Sequence, residues 1–310
     1  MLRVLSRRDW WLYALSVIIW GSTWIMINFQ LGVVPAEVSL VYRYLIASVL
    51  LMGWCWISGR RLRMSPAAHG YALALGVLLF SLNYLMAYNA QKYITSALNA
   101  LAFSSMVWMN ILNSRLFFKT PFQGTILVGS AMGMVGVALI FWPEIDHLTL
   151  NDTTVMGATL CLAGALTASL GNMVSQKAQS TGLPVAGSTA WAMAYGTVFL
   201  ALFALIQGKP FLFEWSVPYV SSLLYLSIFG SIIGFLCYLS LLGSIGAARA
   251  GYVVVMFPIV AIFLSILFEG LRPGLTMWLG MALALAGNAL VLWGRQQPAS
   301  ATVSTIRRPA

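Results

Sequence analysis

Long runs of hydrophobic residues, separated by short polar segments, occupy the chain from about residue 10 to residue 294. Each run has about 20 residues or more, the length that a helix needs to cross the hydrocarbon core of a bilayer. The segments between the runs carry helix-breaking residues, among them Pro35, Pro121 and Pro273. The pattern predicts ten membrane-spanning helices, over residues 10–29, 38–58, 69–89, 95–118, 122–141, 154–176, 186–206, 217–241, 249–269 and 274–294.

Composition supports this pattern. Of the 310 residues, 60% are hydrophobic and only 8% are charged, whereas about 25% are charged in a soluble domain. We therefore expect an all-α, multi-pass membrane protein whose surroundings are the lipid bilayer. The net charge of +10 does not indicate a nucleic-acid partner, because the basic residues lie at helix ends and form no single stripe. No histidine or cysteine has the spacing of a metal site, so we predict no metal and no cofactor.

The distribution of charge predicts the orientation of the chain. With the N-terminus in the cytoplasm, 13 Lys and Arg residues fall on the cytoplasmic side and 3 fall outside. This asymmetry follows the positive-inside rule, so we expect both termini in the cytoplasm and the helices in a bacterial-type inner membrane. Residues 295–310 are rich in Ser, Thr, Pro and Ala, which predicts a disordered cytoplasmic tail.

An internal repeat relates the two halves of the chain. A shift of 151 residues carries residues 97–141 onto 248–292 with 11 identities, about twice the number expected from so apolar a composition. We infer a first repeat over 1–145 and a second over 154–294. Each repeat has five spans, an odd number, so the second enters the membrane in the opposite orientation. Two inverted five-helix repeats are typical of transporters that bind substrate near the membrane midplane and work by alternating access.

Several short motifs carry a resemblance to a known family. They are Trp20-Gly21-Ser22 in span 1, Arg43 in span 2, Pro258 and Leu267-Phe268-Glu269-Gly270 in span 9, and Ala286-Gly287-Asn288-Ala289 in span 10. In this order they resemble the EamA-type, ten-helix branch of the drug/metabolite transporter superfamily, and within it the amino acid exporters of the YddG type. The resemblance implies a transporter, and it implies export as the direction. The first repeat departs from the motifs, with Phe118-Lys119 in place of Glu-Gly and Val107 in place of Pro.

Polar side chains within the spans are the candidates for the substrate site, because each needs a hydrogen-bond partner or a wet cavity. In span 4, Asn99, Phe103, Met106, Asn110 and Asn113 fall on one helical face. That face could line a cavity or bond to a neighbouring helix. The predicted substrate-binding residues are Trp24, Asn83, Tyr84, Tyr88, Asn99, Phe103, Met106, Asn110, Trp191, Tyr238, Tyr252 and Met256.

Three further residues are predicted to have gating or structural roles. Arg43 is the basic residue that lies within a span, where it could snorkel, pair with Glu37 or Glu269, or meet a substrate carboxylate. Pro258 removes a backbone hydrogen bond from span 9 and is a candidate hinge, and Glu269 ends that span. Small residues in spans 5, 6 and 10 predict close helix packing or a dimer contact, so both a monomer and a homodimer stay open.

The chemistry of these residues narrows the substrate. No acid lies deep in any span, which favours uncoupled transport. The scarcity of cations disfavours phosphorylated substrates. Amide, hydroxyl, aromatic and thioether groups suit neutral or zwitterionic molecules, so we predict export of aromatic and other neutral amino acids. Aromatic faces could also hold a flat or quaternary ammonium cation, as in a multidrug exporter. An enzyme is not expected, because no cluster offers a nucleophile with its base.

Overall fold

The structure is a computed structural model that describes residues 5–94, 99, 102–142, 152–268 and 272–293. Every secondary-structure element among these residues is helical. In chain order the helices are α1 (Arg7–Asn28), α2 (Ala36–Ile57), α3 (Pro66–Ala90), α4 (Met106–Phe118), α5 (Gly124–Ile140), α6 (Asp152–Ser180), α7 (Val185–Ile206), α8 (Val217–Ile245), α9 (residues 247–268) and α10 (Leu275–Trp293).

The helices have the length and the surface of a multi-pass membrane protein. Within the described residues, seven are long and apolar enough to cross a bilayer, while α5 and the stretch Ala247–Val260 of α9 are shorter apolar helices. Large apolar side chains such as Trp56, Ile206 and Leu279 are exposed on the outside of the bundle, where lipid would cover them. The all-α membrane fold is confirmed, and the number of ten spans stays a prediction.

The packing of α5 against α10 establishes that the two halves are inverted. A Cβ placed on Gly129 would lie 2.7 Å from the carbonyl oxygen of Gly287, and one placed on Gly136 would lie 2.7 Å from that of Gly280. Residue numbers therefore rise along α5 as they fall along the facing part of α10, and the helices are antiparallel. Because α5 and α10 are corresponding helices of the two repeats, one half is inverted relative to the other.

Several other contacts between the two halves have the same symmetry. Helix α1 packs against α8 and α9, and its counterpart α6 packs against α3 and α4. The pairs α2–α7, α4–α9 and α5–α10 each join a helix to its own counterpart. Exchanging the two halves therefore carries each of these pairs onto another of them or onto itself. Each of these pairs joins a helix of the first half to a helix of the second half. The two repeats therefore share a common interior.

The helices that face this interior are irregular. A π-helical turn interrupts α3 at Leu78–Leu82 and α8 at Leu226–Ile233. The shift of 151 residues carries residues 78–82 onto 229–233, inside the second turn, so the irregularity belongs to the repeat. Such turns leave backbone groups less regularly bonded and often mark functional sites. In a membrane they are tolerated where the backbone lines a cavity or is buried in protein.

Helix α9 is irregular just before Pro258. Gly251–Met256 form a 3-10 segment, and Pro258 is the second residue of the α-helical stretch Phe257–Phe268. A proline in a first turn removes no bond that the following α-helix needs. The change in backbone geometry therefore lies immediately N-terminal to the proline. Glu269 and the tail 295–310 lie outside the described residues.

Candidate functional site

A cavity lies between the two halves, in contact with α1, α3, α4, α6, α8 and α9. Its empty volume, counted up to the open rim, is about 690 Å³. Helices of both repeats contribute to its wall. The lining residues are Trp20, Thr23, Ile27, Leu79, Asn83, Tyr84, Ala87, Tyr88, Gln91, Phe103, Met106, Ala168, Asn172, Phe235, Tyr238, Val254 and Phe257.

Aromatic rings form one continuous side of this cavity. The Trp20 ring lies 4.9 Å from the rings of both Phe235 and Tyr238 and 5.8 Å from that of Phe257. The Tyr84 ring continues the row at 6.3 Å from Phe235. The Trp20 indole is fixed because its Nε1 donates to the Gly230 carbonyl, 2.9 Å away, in the π-helical turn of α8. The wall is therefore rigid and apolar, and it suits a planar or branched side chain.

A layer of polar side chains closes one end of the cavity. Asn172 Nδ2 donates to the Tyr238 hydroxyl at 2.9 Å and to Asn110 Oδ1 at 3.3 Å. Asn110 Nδ2 donates in turn to the Ala247 carbonyl at 3.3 Å. These bonds tie together α4, α6, α8 and the start of α9. Beyond the layer is a second space of about 570 Å³ that is lined by polar side chains such as Gln123.

The other end of the cavity lies at the C-terminal ends of α1 and α3. Ile27 and Gln91, which line it there, are one residue from the end of α1 and one residue past the end of α3. With the predicted orientation, this end lies towards the outer side of the membrane and the polar layer lies towards the cytoplasm.

Two amide oxygens on the cavity wall have no hydrogen-bond partner among the described residues. They are Oδ1 of Asn172, near the closed end, and Oε1 of Gln91, near the opposite end. A buried acceptor without a donor costs about 1–3 kcal/mol. A ligand N–H that reached either oxygen would therefore remove an unfavourable term.

Arg43 lies directly behind the wall and is buried, with 2% of its surface exposed. Its Nε donates to Ser231 Oγ at 2.9 Å and its Nη1 to the Tyr88 hydroxyl at 3.4 Å. The guanidinium also lies over the Tyr84 ring, 4.7 Å from its centroid. Because these bonds hold the side chain inside the bundle, Arg43 does not snorkel to the membrane surface.

Half of the predicted substrate-binding residues lie together on this wall. They are Asn83, Tyr84, Tyr88, Phe103, Met106 and Tyr238. Asn110 lies one layer behind them, bonded to the lining residue Asn172. Asn99 is buried against α3, where its Nδ2 donates to the Ala87 carbonyl at 3.0 Å.

The structure places the other predicted residues away from the cavity. The Tyr252 hydroxyl donates to the Gly129 carbonyl at 2.9 Å, between α5 and α10. Trp191 Nε1 donates to the Leu62 carbonyl at 2.9 Å, near the start of α3. Met256 is buried within α9 and does not line the cavity. The side chain of Trp24 lies outside the described residues.

Some lining residues are not among those predicted. Asn172, Gln91, Phe235 and Phe257 line the cavity, although α6 reads in sequence as a packing helix of small residues. The expectation that α6 serves only as scaffold is incomplete, since Ala168 and Asn172 both face the cavity. Asn172 could have been found by the rule applied to α4, because it too is an amide deep within an apolar span.

Comparisons with known proteins agree with this architecture. The family model described as the EamA-like transporter family matches residues 10–142 and again residues 155–293. A crystal structure of another protein superimposes with a TM-score of 0.75 and 16% sequence identity, covering 90% of this chain and 94% of the other. At that identity the superposition establishes the fold alone.

Relatives with similar sequences extend over most of the chain. The inner membrane transporter YedA of Escherichia coli (strain K12), described as uncharacterized, is 27% identical over 96% of this chain and 95% of its own. The transporter YvbV of Bacillus subtilis (strain 168), also described as uncharacterized, is 26% identical over 90% of each chain. Protein PagO of Salmonella typhimurium is 21% identical over 82% of this chain and 83% of its own.

Proposed function

Because the chain belongs to the EamA-like transporter family, we propose that it exports aromatic and other neutral amino acids across an inner membrane by alternating access. The members of this family are transporters and not enzymes, so the substrate is the main question. The cavity between the two repeats is where inverted-repeat transporters bind substrate.

Two residues of the cavity wall have an amide oxygen without a hydrogen-bond donor, and this favours an amino acid as the substrate. An amino acid carries an ammonium group with three N–H donors and no acceptor. Asn172 Oδ1 and Gln91 Oε1 are acceptors without donors, so an ammonium group would satisfy at least one of them on binding. A substrate without N–H groups would leave both oxygens buried and unpaired.

The aromatic wall accounts for the breadth of substrates. Trp20, Phe235 and Phe257 present ring faces and edges that make favourable contact with apolar side chains of many shapes. Met106 adds a flexible thioether that adapts to such shapes. Hydrogen bonds would thus hold the amino and carboxyl groups of the substrate, and non-directional contacts would hold its side chain.

The alternative is a multidrug or quaternary ammonium exporter of the same superfamily. The same aromatic rings favour it, since a cation is attracted to a ring face. A quaternary nitrogen, however, has no N–H to offer the two amide oxygens. Its positive charge would also lie close to the buried guanidinium of Arg43, which is unfavourable in a medium of low dielectric constant.

We propose that transport is uncoupled from protons. The lining residues include no Asp, Glu, His, Lys or Arg among the described part of the chain. A proton-coupled carrier needs a titratable group in the pathway. Exchange of substrate down its own gradient needs none.

The test is exchange in liposomes that contain the purified protein. Vesicles are preloaded with unlabelled amino acid, and the uptake of labelled threonine, methionine or phenylalanine is followed with and without a pH gradient. We expect saturable uptake that depends on the internal amino acid and is indifferent to the gradient. Uptake driven by the gradient would overturn the uncoupled mechanism, and the absence of flux for all three amino acids would overturn the choice of substrate.

A further inference from the structure

Arg43 is a buried cation whose close partners among the described residues are all neutral. The hydrogen bonds and ring contacts of its guanidinium, within the described part of the chain, go to Ser231, Tyr88, Tyr84 and Tyr44. Glu37 is also buried in α2, but it precedes Arg43 by six positions, which places the two side chains about 120° apart around the helix and about 9 Å apart along it. The acid therefore points away from the face that carries the guanidinium.

A cation in this position is unfavourable unless an anion approaches it. Taking a charge out of water costs several kcal/mol even after the protein relaxes, and polar neutral groups recover only part of that cost. Coulomb attraction to an anion is correspondingly strong where the dielectric constant is low. The cavity is the accessible space next to the guanidinium, because Tyr84 and Tyr88 contact Arg43 and also line the cavity.

We propose that Arg43 makes the Tyr88 hydroxyl the group that recognises a carboxylate in the cavity, and thereby selects substrates with a free α-carboxylate over derivatives in which an uncharged group replaces it. This inference rests on the proposed function and names the charged group that the site requires. Arg43 acts through Tyr88 and is a positioning residue, whereas Tyr88 is the residue that contacts substrate.

The geometry gives Tyr88 this role. Its hydroxyl oxygen accepts from Arg43 Nη1, so its own O–H is left to donate elsewhere. A hydroxyl that accepts from a cation is a stronger donor, because hydrogen bonds in a chain polarise one another. A carboxylate in the cavity would accept this O–H and supply the negative charge that the guanidinium lacks. The substrate ammonium would then point to the amide oxygens of Asn172 or Gln91.

The experiment compares phenylalanine with phenylalaninamide, which keeps the ring and the amine but has no carboxylate. Each is added as a competitor of labelled methionine exchange in proteoliposomes, and the ratio of their half-inhibitory concentrations is measured. For the unmodified protein we expect phenylalanine to be stronger by roughly tenfold or more, as for a hydrogen bond to a charged group. The ratio should fall towards one in Arg43→Gln and in Tyr88→Phe, and Arg43→Lys should restore part of it.

Tyr44→Phe is the matched control. The Tyr44 ring also contacts the guanidinium, at 5.3 Å from its centroid, but Tyr44 does not line the cavity. We expect this variant to keep the ratio of the unmodified protein. If Arg43→Gln does not fold, Tyr88→Phe alone decides the matter, because it removes one hydroxyl and leaves the cation in place.

The outcomes separate this inference from the proposed function. If neither compound competes in the unmodified protein, the proposed substrate is wrong and the role of Arg43 falls with it. If both compete equally, amino acid binding stands and carboxylate recognition is overturned. An unchanged ratio in Tyr88→Phe also overturns it, since a structural role of the hydroxyl would weaken both competitors alike.

Discussion

Gly129 of α5 and Gly287 of α10 approach each other so closely that neither position has room for a side chain. A Cβ on Gly129 would lie 2.7 Å from the carbonyl oxygen of Gly287, and a Cβ on Gly287 would lie 2.5 Å from that of Gly129. The shift that relates the repeats carries this pair onto Gly280 and Gly136, which approach to 2.6 and 2.7 Å in the same way. The glycines thus form two equivalent contacts about the pseudo-two-fold axis.

These contacts predict that alanine destabilises the protein equally at equivalent positions. Gly129→Ala and Gly280→Ala each place a methyl group against backbone atoms, and overpacking of this kind costs about 1–3 kcal/mol. We expect both variants to lower the midpoint of thermal unfolding in detergent by a similar amount. Gly53→Ala is the control, since no atom lies within 4 Å of its added Cβ. A Gly129 variant as stable as the Gly53 variant would contradict this packing.

Two buried tyrosines should respond differently to loss of the hydroxyl. Tyr252 donates to the Gly129 carbonyl between α5 and α10, so Tyr252→Phe should lower stability by about 0.6 kcal/mol and leave the KM for amino acids unchanged. Tyr238 lines the cavity and accepts from Asn172. Tyr238→Phe should raise KM roughly fivefold, as expected for one hydrogen bond. Thermal unfolding and exchange kinetics would be measured for both variants. A KM that rises in Tyr252→Phe but not in Tyr238→Phe would contradict the placement of Tyr238 in the substrate site and of Tyr252 outside it.

Asn172 and Asn113 should likewise differ in how their substitution affects the KM for amino acids. Asn172→Ala removes the unpartnered Oδ1 and the bonds to Tyr238 and Asn110. We expect it to raise the KM for amino acids roughly tenfold. Asn113 makes a similar bond between helices, to Ser169 Oγ at 2.9 Å, but does not line the cavity. Asn113→Ala should therefore leave KM unchanged, and equal effects of the two variants on KM would count against the site.

The sequence predicts the positions of the helices and the inversion of the two halves, but not the π-helical turns. The apolar runs predict the helices closely, as for residues 186–206 against Val185–Ile206 in the structure, because the bilayer fixes both their length and their composition. The odd number of spans in each repeat predicts the inversion seen between α5 and α10. Neither π-helical turn could be predicted, since both depend on how neighbouring helices pack and not on local propensity.

The candidate site could be predicted only in part. Helical periodicity identifies which face of a span is polar, and it groups Tyr84 with Tyr88, which both line the cavity. It does not give the depth of a residue or the helix opposite, so it cannot separate Tyr238 in the cavity from Tyr252 against α5. Gln91 lies just past the end of α3, where the sequence offers no sign that the cavity extends so far.

Pro258 should affect turnover more than binding. Its substitution by alanine supplies an N–H that can donate to the carbonyl of Val254, four residues earlier, and so extend the α-helix into the 3-10 segment Gly251–Met256. We expect Pro258→Ala to lower the maximal exchange rate severalfold at nearly constant KM. Pro218, in the first turn of α8, is the control, and Pro218→Ala should keep the rate. Unchanged exchange kinetics in the Pro258 variant would exclude Pro258 as a hinge.

Competition between a zwitterion and a permanent cation distinguishes an amino acid exporter from a carrier of quaternary ammonium compounds. Labelled methionine exchange would be measured in proteoliposomes with increasing phenylalanine or phenyltrimethylammonium, which share an aromatic ring but differ in the nitrogen and in the carboxylate. Since only phenylalanine offers N–H donors to Asn172 Oδ1 and Gln91 Oε1, we expect phenylalanine to inhibit exchange and phenyltrimethylammonium at the same concentrations to have no effect. Equal or stronger inhibition by phenyltrimethylammonium would contradict amino acid export and favour transport of quaternary ammonium compounds.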